Sequence, residues 1–311
     1  MKVVFIDTVH PVLEERLSSA GFHCFDASNM SREECLRELT DAHGIVIRSR
    51  FTMDEAFLKD AIQLKFIARS GAGMENIDEA YCEKRGIVLY NAPEGNRNAV
   101  GEHALGMLLS LMNKLLTADR EVRSGKWDRE GNRGVELDGK TVGIIGYGNN
   151  GSAFAKKLRG FDVTCLAYDK YKSGFGDAFV RESTLEELLE QSDVISFHIP
   201  QNEETLWMFN SAFVERLAKP IWLLNLSRGK IFETKALVGG LKNGKILGAG
   251  LDVLEYEKSS FESFFEQELP ADFKYLLESD KVILTPHVGG WTHESYYKLS
   301  VVLADKILAD H

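Results

Sequence analysis

Cysteine is scarce and scattered in this chain. Cys24, Cys35, Cys82 and Cys165 show no paired short spacing, which argues against a disulfide framework or a zinc site and for reduced thiols filling the core of a cytoplasmic protein. Long apolar runs are missing too, and none approaches membrane-spanning length. The opening MKVVFID reads as a short strand, without the apolar stretch and small-residue cleavage site of a secretory leader. Lys and Arg number 37 against 47 Asp and Glu, a net charge of -10. With no basic run to track a phosphate backbone, nucleic acid is not an expected partner. Internal repeats and low-complexity segments are also absent.

What the chain does have is apolar periodicity. Its 311 residues, 44% hydrophobic, exceed the usual extent of one core, so two domains are expected. Up to about residue 90, strand-like runs alternate with helical patterns: VVFID, Val12 to Ala20, FHCF, Ser31 to Leu39, GIVIRS, Glu55 to Ile62, LKFIAR and IVLY. Ser31 and Glu34 have the capping-box spacing that marks a helix start. This alternation implies a parallel sheet covered by helices. Asn91-Ala92-Pro93 then breaks the pattern.

Residues 98 to 124 lack proline, and Ala104, Leu105, Leu108, Leu111, Met112 and Leu115 recur at helical spacing, predicting one long helix ending at Gly125. After Lys140 the alternation resumes through TVGIIG, Ser152 to Leu158, DVTCLAYD, Ser183 to Glu190, DVISFHIP, WLLNLS, Thr234 to Lys242, ILGAGLDV and KVILTP. Between Lys258 and Asp280 lies an aromatic-rich connection with Phe261, Phe264, Phe265, Phe273 and Tyr275, read as packed structure with short helices of its own. Thr292 to His311 closes the chain as a helix.

Gly146-Tyr147-Gly148-Asn149-Asn150-Gly151 follows the strand TVGII and opens a helix, the context of a dinucleotide-binding turn. Gly146 would permit the tight turn, Gly148 the approach of a pyrophosphate, and Gly151 close packing of helix on strand. Asp169 ends the next strand, where a carboxylate accepts hydrogen bonds from ribose hydroxyls and repels a 2′-phosphate, favouring NAD. Lys170 and Lys172 beside it leave NADP open as a lesser alternative.

Three further strands end in chemically distinctive segments: Asn225 to Gly229 (NLSRG), Asp252 to Glu257 (DVLEYE) and Thr285 to Gly290 (TPHVGG). All fall where parallel sheets place ligands. Reduction of a 2-keto acid needs a proton donor, a cation for the carboxylate and a group that orients the donor, and histidine, arginine and a carboxylate suit those roles.

With GYGNNG, NAPEGN, EHALGMLL and SGAGMENID, these segments resemble the D-specific 2-hydroxyacid dehydrogenase family over nearly the whole chain. The resemblance implies an α/β fold of two doubly wound parallel-sheet domains. A flavodoxin-like substrate domain would take residues 1–97 with 287–311, and a Rossmann NAD-binding domain 98–286. It implies that Arg228 binds the substrate carboxylate and carbonyl, that His287 is the general acid/base, and that Glu257 hydrogen-bonds it, with Asp252 near the nicotinamide carboxamide. It also implies cofactor contacts for Asn149, Asn150, Ile199, Pro200, Thr205, Leu226 and Gly289, an adenine-pocket position for His198, and a substrate-carboxylate loop at Ala72 and Gly73. His103 reads as a packed or hydrogen-bonded helix residue. No metal is implied.

Arg48 and Arg50 follow the strand GIVI and resemble the loop with which D-3-phosphoglycerate dehydrogenases contact the substrate phosphate. A surface ion pair is the competing account. The expected function is hydride transfer between NAD(H) and C2 of a small D-2-hydroxy or 2-keto acid, with 3-phosphoglycerate/3-phosphohydroxypyruvate first. Glycerate or hydroxypyruvate reductase is the alternative, and an NAD-sensing corepressor-like protein the alternative from another class. The end of the chain at His311 suggests that the C-terminal regulatory domains of many phosphoglycerate dehydrogenases are absent. Two residues depart from the family pattern. Lys258 replaces the usual proline after Glu257, leaving Glu255 as a competing partner for His287, and Trp291 stands where serine is usual. A homodimer through the long helix and hinge movement near Asn91–Asn98 and Pro286 complete the expectation.

Overall fold

A computed structural model describes residues 1–257 and 269–311. It divides into two compact units, residues 1–97 with 291–311, and residues 98–290. The first contains β1 (Lys2–Phe5), α1 (Val12–Ser19), β2 (His23–Asp26), α2 (Arg32–Glu38), β3 (Gly44–Ile47), α3 (Glu55–Leu58), β4 (Phe66–Arg69), α4 (Glu79–Arg85) and β5 (Val88–Asn91). Next comes α5 (Pro93–Met112), which leads into the second unit with its proline at the first helical position, where a missing N–H costs nothing. The second unit continues with α6 (Leu115–Arg123), β6 (Thr141–Ile145), α7 (Asn149–Leu158), β7 (Thr164–Tyr168), β8 (Val180–Glu182), α8 (Leu185–Gln191), β9 (Val194–Phe197), α9 (Ser211–Arg216), β10 (Ile221–Asn225), α10 (Thr234–Asn243), β11 (Ile246–Leu251), α11 (Ala271–Glu278) and β12 (Val282–Leu284). Helix α12 (His293–Asp310) belongs again to the first unit.

Both sheets are parallel, with strand orders β2-β1-β3-β4-β5 and β12-β11-β10-β9-β6-β7-β8. The first is the flavodoxin-like order and the second the Rossmann order extended by one strand, as the sequence patterns implied. Alternation along the strands explains why each sheet is covered on both faces. In β3, Ile45 and Ile47 enter one core with Val4, Leu39 and Phe57, while Val46 enters the other with Val3, Leu13 and Leu303. In β6, Val142 and Ile144 face Ala104, Leu108 and Phe154, while Ile145 faces Phe197 and Phe213. Side chains of period two on a two-sided sheet must all be apolar, which is why these strands read as continuous hydrophobic runs.

The expected capping box is present, Glu34 N donating to Ser31 Oγ at 3.3 Å and Ser31 N to Glu34 Oε2 at 2.7 Å. The single long helix is not. It starts earlier, at Pro93, and breaks at Asn113–Lys114, where Lys114 adopts φ 52°. The cause is tertiary: the following loop returns, so that Val135 N donates to Met112 O (2.9 Å) and Lys114 Nζ to Gly131 O (2.8 Å). Gly125, φ 85°, ends the second piece. Helices α4 and α9 and strand β8 carry weaker patterns and were not anticipated. Phe273 is buried in α11, in line with packed structure there, whereas Lys258, Phe261, Phe264 and Phe265 lie outside the described residues. Residues 287–290 sit with the second unit rather than the first, because Asp252 binds their backbone.

Candidate active site

In the second unit, β6 delivers the chain into Gly146, whose φ of 92° favours glycine and where a Cβ would meet His198 O at 2.6 Å. One turn on, a Cβ on Gly151 would lie 2.0 Å from Gly146 O, so helix and turn close only without a side chain. A Cβ on Gly148 would meet nothing within 4 Å, leaving open space against the N-terminus of α7 for an anionic group. Nearby, Asn150 Oδ1 is buried without a partner among the described residues. These features fit a bound dinucleotide.

Asp169, at the end of β7, accepts Tyr147 N on Oδ2 (2.8 Å) and Tyr171 N and Lys172 N on Oδ1 (3.0 and 3.1 Å), which fixes the carboxylate beside the glycine turn. Lys170 pairs with Glu204 at 2.8 Å, so its charge is partly neutralised and the case for NADP weakens. His198 is buried after β9. Its Nε2 shares a 2.8 Å hydrogen bond with Ser196 Oγ, Nδ1 has no partner among the described residues, and burial pushes its pKa down to about 3. It is therefore a buried, neutral imidazole. Ile199 packs against Gly146. Thr205 Oγ1 donates to Pro200 O at 2.7 Å, closing the loop after β9.

The strongest constellation surrounds His287. Its Nδ1 lies 2.9 Å from Glu257 Oε2, and Glu257 Oε1 in turn accepts Leu254 N. Glu255 is engaged elsewhere, accepting Thr234 N at 2.8 Å at the start of α10, so Glu257 and not Glu255 partners the imidazole. His287 holds φ 55°, a left-handed conformation costing about 1–3 kcal/mol. Its own N–H to Asp252 O (2.8 Å) and the hold of Asp252 on the following residues maintain it.

Asp252 is 3% exposed and accepts hydrogen bonds on both carboxylate oxygens. Oδ1 accepts Thr285 Oγ1 (2.6 Å) and Val288 N (2.9 Å), and Oδ2 accepts Gly289 N (2.8 Å). Leu226 is buried at the end of β10, and Arg228 follows it with its Nη1 on Ser227 O and its carbonyl held by Asn225 Nδ2. Thr285 and Asn225 of this site carry no role in the sequence reading, while His103 is hydrogen-bonded as that reading expects. His103 Nε2 lies 3.0 Å from Thr285 Oγ1 and 3.7 Å from Asp252 Oδ1, and Asn225 shapes the arginine turn. Their signal was position alone: EHALG on a helix, T before PH, and N before LSR.

In the first unit, Asp7 Oδ2 gathers the N–H groups of Arg48, Ser49 and Arg50 at 2.6, 3.0 and 3.2 Å. The two arginines then differ. Arg50 donates from Nη1 to Ile6 O and Ala27 O and from Nη2 to Met30 O, so three of its five N–H groups pin its own loop. Arg48 stacks over Trp291, 4.3 Å from the ring centroid. In the glycine loop, Asn91 Nδ2 binds Ala72 O (2.7 Å) and Ala92 N binds Gly71 O (2.8 Å), turning the carbonyls inward. The N–H groups of Ala72 and Gly73 have no acceptor among the described residues, the condition for an anion-binding loop. Arg69, not singled out in the sequence, donates from Nε to Arg48 O and lies against Gly71.

Among the described residues no helix is long and apolar enough to cross a membrane. The family model for the D-isomer specific 2-hydroxyacid dehydrogenase NAD binding domain matches residues 105–289. D-3-phosphoglycerate dehydrogenase of Archaeoglobus fulgidus is 34% identical over 99% of this chain, which spans 57% of that protein's length. Glyoxylate reductase of Pyrococcus furiosus is 33% identical over 89% of this chain and 82% of its own. The crystal structure of D-lactate dehydrogenase from Aquifex aeolicus, complexed with NAD and lactic acid, is 28% identical with a TM-score of 0.83, covering 100% of this chain and 95% of that one.

Proposed function

Because the chain belongs to the D-isomer specific 2-hydroxyacid dehydrogenase family, of NAD-dependent enzymes acting on the CH–OH group of donors, we propose that it interconverts a small D-2-hydroxy acid and its 2-keto acid. The observation that carries this reading is the 2.9 Å contact between His287 Nδ1 and Glu257. With Nδ1 held by the carboxylate, Nε2 is the ring nitrogen that exchanges a proton with the substrate oxygen. Glu257 compensates the positive charge that forms when the ring takes the alcohol proton. Arg228 holds the substrate carboxylate and polarises the carbonyl, and the loop of Ala72 and Gly73 in the first unit offers backbone N–H groups to an anion. NAD supplies the hydride acceptor when bound, held by the turn at Gly146 to Gly151, by Asp169 and by Asp252.

For the acid itself we propose 3-phosphoglycerate/3-phosphohydroxypyruvate, with Arg48 as the cation for the phosphate. A specific observation favours a second reading, glyoxylate or hydroxypyruvate reduction: Arg50 directs three of its five N–H groups to loop carbonyls, which weakens it as a second cation for a phosphate. The deciding experiment is NADH oxidation with 3-phosphohydroxypyruvate, hydroxypyruvate and glyoxylate, using wild type, His287→Ala and Arg48→Ala. Preference for the phosphorylated acid, lost in Arg48→Ala, supports the first reading, and preference for an unphosphorylated acid supports the second. No turnover of any acid would overturn both.

We also propose a homodimer and a cytoplasmic location. Leu115, Leu116 and Val122 of α6 are exposed together with Trp127, 78% exposed, an apolar group that a second copy would cover. Cys35, Cys82 and Cys165 are buried free thiols, which suits a reducing compartment. Sedimentation of wild type and Trp127→Glu tests the first: a monomeric wild type would exclude it.

A further inference from the structure

Trp291 stands where the family resemblance leads one to expect serine, and its place in the fold gives the exchange a use. The Arg48 guanidinium lies 4.3 Å from the indole centroid. Its backbone is fixed on both sides, by Arg48 N on Asp7 Oδ2 and by Arg69 Nε on Arg48 O. Among the described residues the guanidinium itself has no hydrogen-bond or ion-pair partner. Trp291 is 49% exposed and is backed edge-on by Tyr296 at 5.7 Å, which in turn meets His10 at 5.5 Å. The indole is thus a braced wall with one face carrying the cation.

We propose that Trp291 is a positioning residue for Arg48 and thereby a determinant of substrate specificity. It holds the guanidinium flat, so that the in-plane N–H edge meets a second anionic group at the far end of a 2-keto acid. Stacking engages the π face of a guanidinium and leaves its forked donors for an oxyanion. It also removes rotamer freedom that a lone surface arginine would lose only on binding. The inference rests on the proposed reduction of 2-keto acids and deepens it by assigning the substrate class: acids with a second anion over neutral ones.

The test compares wild type, Trp291→Ser and Trp291→Phe on 3-phosphohydroxypyruvate, oxaloacetate and hydroxypyruvate. In Trp291→Ser, KM for at least one doubly anionic acid should rise roughly 5-fold, the scale of a cation–π contact at an exposed site. Hydroxypyruvate KM and all kcat values should stay put, and Trp291→Phe, which keeps a ring face, should recover most of the loss. The acid whose KM moves identifies phosphate or carboxylate as the group recognised. Equal changes for all three acids, or changes confined to kcat, would overturn the proposal.

Inorganic phosphate gives a readout independent of turnover. Titration should change wild-type tryptophan fluorescence saturably, and that change should vanish in Trp291→Phe and in Arg48→Gln. A saturable, Arg48-dependent change without turnover of any acid would sink the dehydrogenase reading and sustain the Trp291 assignment. Turnover with a phosphate response that survives Arg48→Gln would do the reverse.

Discussion

Asp252 Oδ2 accepts the backbone N–H of Gly289 at 2.8 Å across 37 residues of sequence, and a Cβ on that glycine would lie 2.7 Å from the same oxygen. This contact, with Val288 N on Oδ1, fixes the segment that follows the left-handed His287. The buried carboxylate is therefore a backbone clamp as well as a residue expected near the nicotinamide. In Asp252→Asn the amide would turn N–H groups toward N–H donors, leaving one unpaired at about 1–3 kcal/mol. Urea unfolding should register that loss and NADH titration a weakened Kd, while an unchanged unfolding midpoint would rule out the clamp.

His287→Ala should lower kcat by about 10²- to 10⁴-fold, the usual contribution of a positioned acid/base, with NADH affinity retained. Glu257→Gln keeps a hydrogen-bond acceptor but loses the charge, so its loss of kcat should be smaller. Steady-state rates decide the order, and a Glu257→Gln defect as deep as that of His287→Ala would show that the charge itself is indispensable.

Gly151→Ala places a methyl 2.0 Å from Gly146 O. Such overpacking costs about 1–3 kcal/mol and displaces the cofactor turn, so both thermal stability and NADH binding should fall. Gly160→Ala, at a site where a Cβ meets nothing within 4 Å, should leave NADH binding untouched. Equal binding by the two variants would contradict the close approach.

Burial holds His198 neutral, its pKa pushed down to about 3 from 6.5. The unfolded chain takes up this proton below about pH 6.5 and the folded protein does not, so the stabilisation is complete above that pH and declines toward pH 3. The decline is at most about 1.4 kcal/mol per pH unit. Chemical denaturation at pH 7 and pH 5 should show a steeper loss in wild type than in His198→Gln, and parallel losses would count against a buried neutral ring.

Burial also pushes the Cys165 thiol up to about 12 and the Cys82 thiol up to about 11. Thiolate is the reactive form, so a disulfide reagent at pH 8 should label the folded protein slowly and at the partly exposed Cys24 first, with all four thiols reacting in urea. Prompt labelling of Cys165 in the native state would be incompatible with its burial.

Much of this molecule was legible in one dimension. Two-sided sheets demand continuous apolar strands, so GIVI, TVGII and WLLNL announced parallel sheets, and GYGNNG announced the turn because backbone conformation and close approach there admit only glycine. Local chemistry likewise located the capping box at Ser31 and the strand ends that carry Arg228, Asp252 and His287. What the sequence could not reveal were effects set by groups distant along the chain. The helix after Pro93 breaks at Lys114 because a returning loop takes the carbonyl of Met112, and no residue near Lys114 signals it. Arg48 and Arg50 read alike, yet carbonyls of Ile6, Ala27 and Met30 occupy one while Trp291 presents the other. The sequence favoured Glu257 as the partner of His287 but left Glu255 as a competitor, and the fold decided between them by setting Thr234 N on the second and His287 on the first. Periodicity and glycine report on a residue's immediate backbone, and hydrogen-bond partners come from wherever folding brings a donor within 3 Å, so the sequence by itself determined the sheets and the turn, and the tertiary structure decided which charges remain for chemistry.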